Sequence, residues 1–354
     1  MKSRGQCYLV HGARLYCIRR LVARSTDRSK LMSSPSAVKG LNGLCCRYVV
    51  ALVIVSLLLT TCDAQGPTGG ATEVPTVNNT PIFVNTVRKH PLGQPVGPTV
   101  LPESLFASPY TGTYRFLIPD SAAAILDTAW LTGFDLFVNL AGLPDNYRNS
   151  DGTFCLSCFM GRLDEYASVG FAPYVASGTL RGHIMFEDAD DPAQWGGEPI
   201  PLTDIAAAAT YSKSLFPSVD VGVGASAAYL DQGGPWSDLR FVLSKYTTDS
   251  GSFGAWREQV RALAEKNSLS TIYYFDAQTA NGGGPITAQQ IYAWGKSVAC
   301  YPSTRGILFG PYEPSIFDDP EVEASINSIV QLLFLVSVGG QPADVICRSN
   351  RFIE

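Results

Sequence analysis

From Tyr114 to Val336 the sequence alternates short apolar runs with stretches of helical spacing, and that alternation leaves few folds open. Seven runs read as strands: 114–118, 134–140, 182–187, 219–224, 239–246, 269–276 and 306–309. Some, such as Ile184-Met185-Phe186, are apolar throughout, as strands buried on both faces are. Cap residues and apolar spacing predict helices over 120–130, 154–166, 203–215, from Ser252 onward, over 287–298 and from Pro320 to about Val336. Strands separated by helices pair in parallel. Seven such runs predict a (β/α)8 TIM-type barrel with one strand irregular or missing, rather than an open doubly wound sheet. No Gly-x-Gly-x-x-Gly follows the first run, and Gly282-Gly283-Gly284 lacks the Lys-Ser/Thr of a phosphate loop. Neither feature supports a nucleotide, and no cofactor is expected.

A barrel of this kind carries its chemistry where the strands end at their C-termini. Four carboxylates fall there: Glu187 and Asp188 after Ile184-Met185-Phe186, Asp276 after Tyr273-Tyr274-Phe275, and Glu313 after Gly310-Pro311-Tyr312. Paired carboxyl groups across a glycosidic bond are the machinery of glycoside hydrolysis, one as acid or base, the other as nucleophile or base. Apolar neighbours would raise Glu187 towards the role of acid. Asn139, Tyr246, Gln278 and Tyr312 also fall at strand ends, where they are expected to bind sugar hydroxyls. Trp195 and Trp236 lie in loops and are expected to stack on a sugar ring, whereas Trp256 and Trp294 sit on helices and read as core. The competing reading is a non-catalytic barrel with a degenerate rim that binds carbohydrate or a partner. Only one histidine of three, His183, lies in this region, at a strand start, so neither a His-based triad nor a zinc site is expected. Cys155-x-x-Cys158 has redox-motif spacing without a thioredoxin context and reads as a pair of small helix-face residues.

The N-terminal third is different in kind. Ten of the 26 basic residues and one of the 31 acidic ones lie in 1–48, which leaves sixteen against thirty, a net of −14, for 49–354. So acidic a body repels phosphate backbones, and nucleic acid is not an expected partner. Residues 48–59 are an apolar run of signal-peptide length. Leu59-Thr60-Thr61-Cys62 follows, so Cys62 is a lipidation candidate; a cut after Ala64 and an uncleaved anchor are the other readings. Residues 63–110 hold eight prolines and read as an extended tether. The expected organisation is a basic segment with a signal or lipoprotein peptide over 1–62, the tether over 63–110 and the barrel over 111–354. The product would be exported and held at the cell envelope or secreted. Export permits disulfides, and barrel closure would bring Cys300 and Cys347 together.

From about Tyr114 to Cys347 the chain resembles a group of secreted bacterial glycoside-hydrolase-like barrels. The resemblance rests on Phe137-Val138-Asn139-Leu140-Ala141-Gly142, Asp151-Gly152-Thr153-Phe154, residues 173–183 and Asp191-Pro192-Ala193-Gln194-Trp195-Gly196-Gly197. It implies a barrel acting on glycans. The group's third strand ends Asp-Glu-Pro where this chain has Glu187-Asp188-Ala189, so the acid's role falls on Asp188 or moves to Glu187.

Overall fold

A computed structural model describes residues 94–338, apart from 108, 248–249 and 279–283, with side chains as far as 336. Eight strands lie in one parallel sheet: β1 (Val96–Thr99), β2 (Gly112–Phe116), β3 (Asp135–Asn139), β4 (Leu180–Ile184), β5 (Val221–Gly224), β6 (Leu239–Tyr246), β7 (Ser270–Phe275) and β8 (Thr304–Pro311). Their order is β1-β8-β7-β6-β5-β4-β3-β2, so the strip curls until its two end strands, β1 and β2, face each other. The result is a (β/α)8 TIM-type barrel with an unsealed seam.

The seam explains the strand that patterning lacked. β1 lies inside the proline-rich stretch 63–110 that reads as tether, so the barrel begins well before residue 111. Proline cannot donate to a ladder and is confined to edges; β1, with Pro95 before it and Pro98 within it, is an edge. It pairs with β8, Val96 opposite Ile307 and Pro98 opposite Phe309, and the register then slips by one residue so that Thr99 faces Pro311. Towards β2 only scattered bonds form. Thr111 N–H donates to Val96 O and Val100 N–H to Tyr114 O, while the Thr113 hydroxyl donates to Pro98 O. Gly97 and Gly112 let the banks approach: a Cβ on Gly97 would lie 2.3 Å from the Gly112 carbonyl oxygen.

Helices cover the outside: α1 (Pro119–Thr132), α2 (Leu156–Asp164), α3 (Ala172–Ser177), α4 (Leu202–Leu215), α5 (Ala227–Leu230), α6 (Phe253–Lys266), α7 (Ala288–Ala299), α8 (Pro314–Phe317) and α9 (Pro320–Val338). Ser252 caps α6 through its side chain, and Thr287 with Gln290 closes a capping box on α7. The β1–β2 connection has only a 3-10 turn, and β5–β6 only the four-residue α5.

Period-two alternation divides each strand between the helical jacket and the barrel interior. Tyr114, Phe137, Ile184, Phe241, Leu243, Ile272, Tyr274 and Leu308 fill the interior. Phe241 spans it: Cβ atoms added to Gly182 and Gly222 would lie 2.6 and 2.1 Å from its ring. Burying such a ring is worth about 2 kcal/mol. Below it, at the strand N-termini, Arg181 pairs with Asp135, and Arg305 bonds Asp220 at 2.7 Å and stacks on Phe241 at 4.7 Å. These charges plug the barrel floor.

Cys155 and Cys158, read from sequence as small helix-face residues open to oxidation outside the cell, form a disulfide at the N-terminus of α2, with Cα atoms 5.2 Å apart. Cys155 occupies the cap position, so the two Cα atoms are already within bridging distance. Cys300 is also disulfide-bonded; Cys347 and Cys62 lie outside the described residues. Among the described residues no helix is long and apolar enough to cross a membrane.

Candidate active site

The parallel sheet places Glu187, Asp188, Asp276 and Glu313 at one end, the mouth, because each follows the C-terminus of its strand. What happens after β4 is a looping-out. Gly224 N–H donates to Phe186 O at 2.8 Å, and Ala189 N–H donates to Gly224 O at 2.8 Å. Two residues, Glu187 and Asp188, therefore stand opposite one, which is the count of a bulge. Asp188 takes the left-handed conformation at φ 48°, which aspartate tolerates better than most residues. Gly224 is required here, since a Cβ would lie 2.8 Å from Glu187 Cα.

The bulge delivers Glu187 into the mouth. It is hemmed in by protein yet keeps an opening to solvent. Its carboxyl is raised above the ordinary carboxylate range. Burial is the main cause; the Tyr114 hydroxyl lowers it, Asp188 raises it and Lys245 lowers it. Asp188 is raised by burial too, against Lys245, whose ammonium lies 3.8 Å away. Lys245 sits two residues beyond interior Leu243 and stacks on Tyr274 at 5.6 Å. Tyr274 in turn feels the charges of Glu187, Asp276 and Asp188, and hydrogen-bonds Thr99 from β1. Burial raises it, as it does Tyr114 and Tyr147, so all three phenols remain protonated in the working range.

Asn139, at the end of β3, is 1% exposed. Its Oδ1 accepts from Ala141 N–H at 2.8 Å and Gly142 N–H at 2.9 Å. Its Nδ2 donates to the Tyr114 hydroxyl at 3.2 Å. No hydrogen-bonding capacity faces a substrate directly, so the expected hydroxyl-binding role is corrected to an internal one.

Four other expectations change. Trp195 is 1% exposed, not a rim platform. Its Nε1 donates to the Asp188 carbonyl at 2.8 Å, its ring stacks on Tyr147, and Arg148 covers it at 5.0 Å. The loop folds under the mouth and gives Trp195 to an aromatic cluster with Phe154 and Phe186. Trp236 is half-buried near Gly234. A Cβ on Gly234 would meet Asn267, which caps the C-terminus of α6, so Trp236 is at the floor end of the barrel. Tyr246 points outward: its hydroxyl donates to Gly251 O at 2.9 Å and its ring packs on Phe253, Trp256 and Trp294. Tyr312 bonds Asp318 and stacks on Phe317 beside α8. Glu313 accepts from Ser315 at 3.4 Å at the start of α8. Asp276 accepts from the Gln278 N–H at 2.9 Å, and Gln278 is exposed beside the undescribed 279–283.

The convergent set is thus Glu187, Asp188, Asp276, Lys245 and the tyrosines 114, 147 and 274. The tyrosines and Lys245 had no place in the sequence-predicted site. Counting back two residues from Asp276 reaches Tyr274, so strand parity was the available signal.

No family model matches the chain, and no curated protein matches it in sequence. Among solved structures it is similar to a glucosidase from Croceicoccus marinus, at 13% identity over 69% of both chains and a TM-score of 0.44. It is similar to a GH18 chitinase from Pseudoalteromonas aurantia, at 14% identity over 67% of this chain and 99% of that one, TM-score 0.44. A D-psicose 3-epimerase from Clostridium cellulolyticum H10 gives 8% identity, 68% and 98% coverage and a TM-score of 0.39. The architecture rests on the strand order and the chemistry on the chain's own side chains.

Proposed function

We propose that this barrel acts on glycans as a glycoside hydrolase, with Glu187 as the proton donor to the leaving oxygen. The observation that carries the reading is a carboxyl raised by burial, set on a bulge in the barrel mouth and still open to solvent. A carboxyl that holds its proton more tightly than an ordinary one is what a general acid needs. Asp276, whose charge reaches the same Tyr274, is the candidate for nucleophile or base. Asp188, tied to Lys245, supplies charge beside the acid. Carboxylates with tyrosine hydroxyls suit a polyhydroxylated substrate. The test is a polysaccharide and aryl-glycoside panel with Glu187→Gln as the control; a substrate cleaved equally by both proteins would refute the assignment.

The second reading, a non-catalytic carbohydrate-binding barrel with a degenerate rim, is favoured by one fact: Asp188 stands where the resembled group carries its Glu, and Lys245 lies 3.8 Å from it. Glycan binding retained by both proteins with no turnover by either would select it. Export belongs with both readings. The apolar run 48–59 and Cys62 support a mature N-terminus at Cys62 or just after Ala64, held to the envelope by lipid or released. Intact-mass measurement of the native protein decides it. A bridge between Cys300 and Cys347 is part of the same proposal, read by non-reducing peptide mapping.

A further inference from the structure

The direction of the hydrogen bonds around Asn139 can be worked out, and it reaches Glu187. An amide side chain can be placed either way round, and only its partners decide. Here the decision is forced, because Ala141 and Gly142 each present a backbone N–H to one atom of Asn139. That atom must be the oxygen. The other end is then NH2, which can only donate, and its partner at 3.2 Å is the Tyr114 hydroxyl oxygen. With its oxygen accepting from Asn139, the Tyr114 hydroxyl has its own proton free to donate. The group it faces on the other side is the Glu187 carboxyl.

We infer that Asn139 and Tyr114 are positioning residues for Glu187: the turn after β3 fixes the Asn139 amide, which aims the Tyr114 proton at one carboxyl oxygen. The other oxygen is left as the one that carries the exchangeable proton and meets a substrate. Tyr147 joins the same amide but donates its proton to the Gly142 carbonyl at 3.4 Å, so of the two phenols only Tyr114 is aimed at the acid. Deletion of the Tyr114 donor removes a bond that favours the carboxylate, so Glu187 should hold its proton to higher pH. Asn139→Asp should do the same by another route. Its carboxylate would still accept from Ala141 and Gly142, but it would also take the Tyr114 proton for itself and place a negative charge nearby.

This inference rests on the acid role proposed for Glu187, yet it can be tested without turnover. The experiment follows the Glu187 carboxyl by carbon-13 NMR in glutamate-labelled full-length protein, with Glu187→Gln identifying the resonance. Tyr114→Phe and Asn139→Asp should each move its midpoint to higher pH. Tyr166→Phe, which removes another buried hydroxyl, bonded to the Leu117 carbonyl, should leave it in place. If a glycan is cleaved, the alkaline limb of kcat/KM should move with the midpoint. An unchanged midpoint in Asn139→Asp, which keeps the shape of the side chain should Tyr114→Phe fold poorly, overturns the relay. A moved midpoint in a protein that cleaves no glycan keeps the relay and removes the hydrolase reading.

Discussion

The floor and the mouth of this barrel are both charged, and they handle charge in opposite ways. At the floor Arg181 and Arg305, the two cations that plug the barrel, each have a close partner of the other sign. Arg181 bonds Asp135 through two nitrogens, and Arg305 bonds both Asp220 and the Arg181 carbonyl. At the mouth, Glu187, Asp188 and Asp276 converge around one cation, Lys245, which comes no nearer to Asp188 than 3.8 Å. The floor is arranged to hold the strands, and its ions gain from close pairing. At the mouth burial makes Glu187 and Asp188 uncomfortable as anions, which costs stability and fits the proton-donating role proposed for Glu187. The difference teaches that one end of the barrel neutralises its charges in close pairs, while the other keeps buried carboxyls that the proposed chemistry could use.

The contrast can be broken most sharply at Glu187. Glu187→Gln should lower turnover by about 10²–10⁴-fold, the usual worth of a general acid, while melting at an unchanged or higher temperature. The sign follows from the raised carboxyl: the native state favours the protonated form, so wild type is relatively best held below the ordinary carboxyl range and loses that contribution as pH rises through the folded value. The stabilisation in Glu187→Gln should therefore grow with pH, as followed by thermal melts at several pH values.

In the wall between the two ends, His183 is fully buried and burial pushes its ring down from 6.5 to about 4. Stability should be kept above 6.5 and lost as pH falls towards about 4, a loss on the order of 3 kcal/mol. Denaturant titrations at pH 7 and pH 4.5 check it, and His183→Phe should flatten the dependence. Gly222→Ala pushes a methyl group into the Phe241 ring and should cost about 1–3 kcal/mol, without altering the chemistry at the mouth. Asp135→Asn should cost about 2 kcal/mol by leaving Arg181 half-buried without its anion, and turnover per folded molecule should stay as it was. If Asp135→Asn cut activity as deeply as Glu187→Gln, the division of labour between floor and mouth would fail. The smallest effect is expected on removing Cys155–Cys158: so short a loop is worth about 2 kcal/mol or less in the chain-entropy model, seen as a lowered melting temperature of a Cys155→Ser/Cys158→Ser variant, which leaves the Cys300 bridge in place.

Most of the barrel was legible in the sequence because buried parallel strands carry continuous apolar runs and Ser252, Thr287 and Pro320 mark helix starts. β1 was not, since an edge strand of four residues containing proline carries the composition of a linker. For the candidate site, position along the chain was readable and direction was not. Glu187 and Asp276 stand out as acids after apolar runs. Tyr114 and Tyr274 are hidden among neighbours of the same character, where only inward or outward parity separates them. Trp195 and Tyr246 were misplaced for the same reason: a loop tryptophan or strand-end tyrosine reads identically whether it faces the mouth or the jacket.

The seam gives the mouth a mechanical character of its own. Thr99, which meets Tyr274, stands on one bank, and Tyr114, which meets Glu187, stands on the other. The banks are joined by a few bonds, two of which are the Thr111–Val96 and Val100–Tyr114 links, whereas β2–β3 and β6–β7 pair along five and six residues. A strip clasped at its ends gives way first at the clasp. Any sliding there would change the gap between the Glu187 side and the Tyr274 side while leaving every ladder intact. The width of the mouth is thus set partly across a joint that is held by only a few bonds.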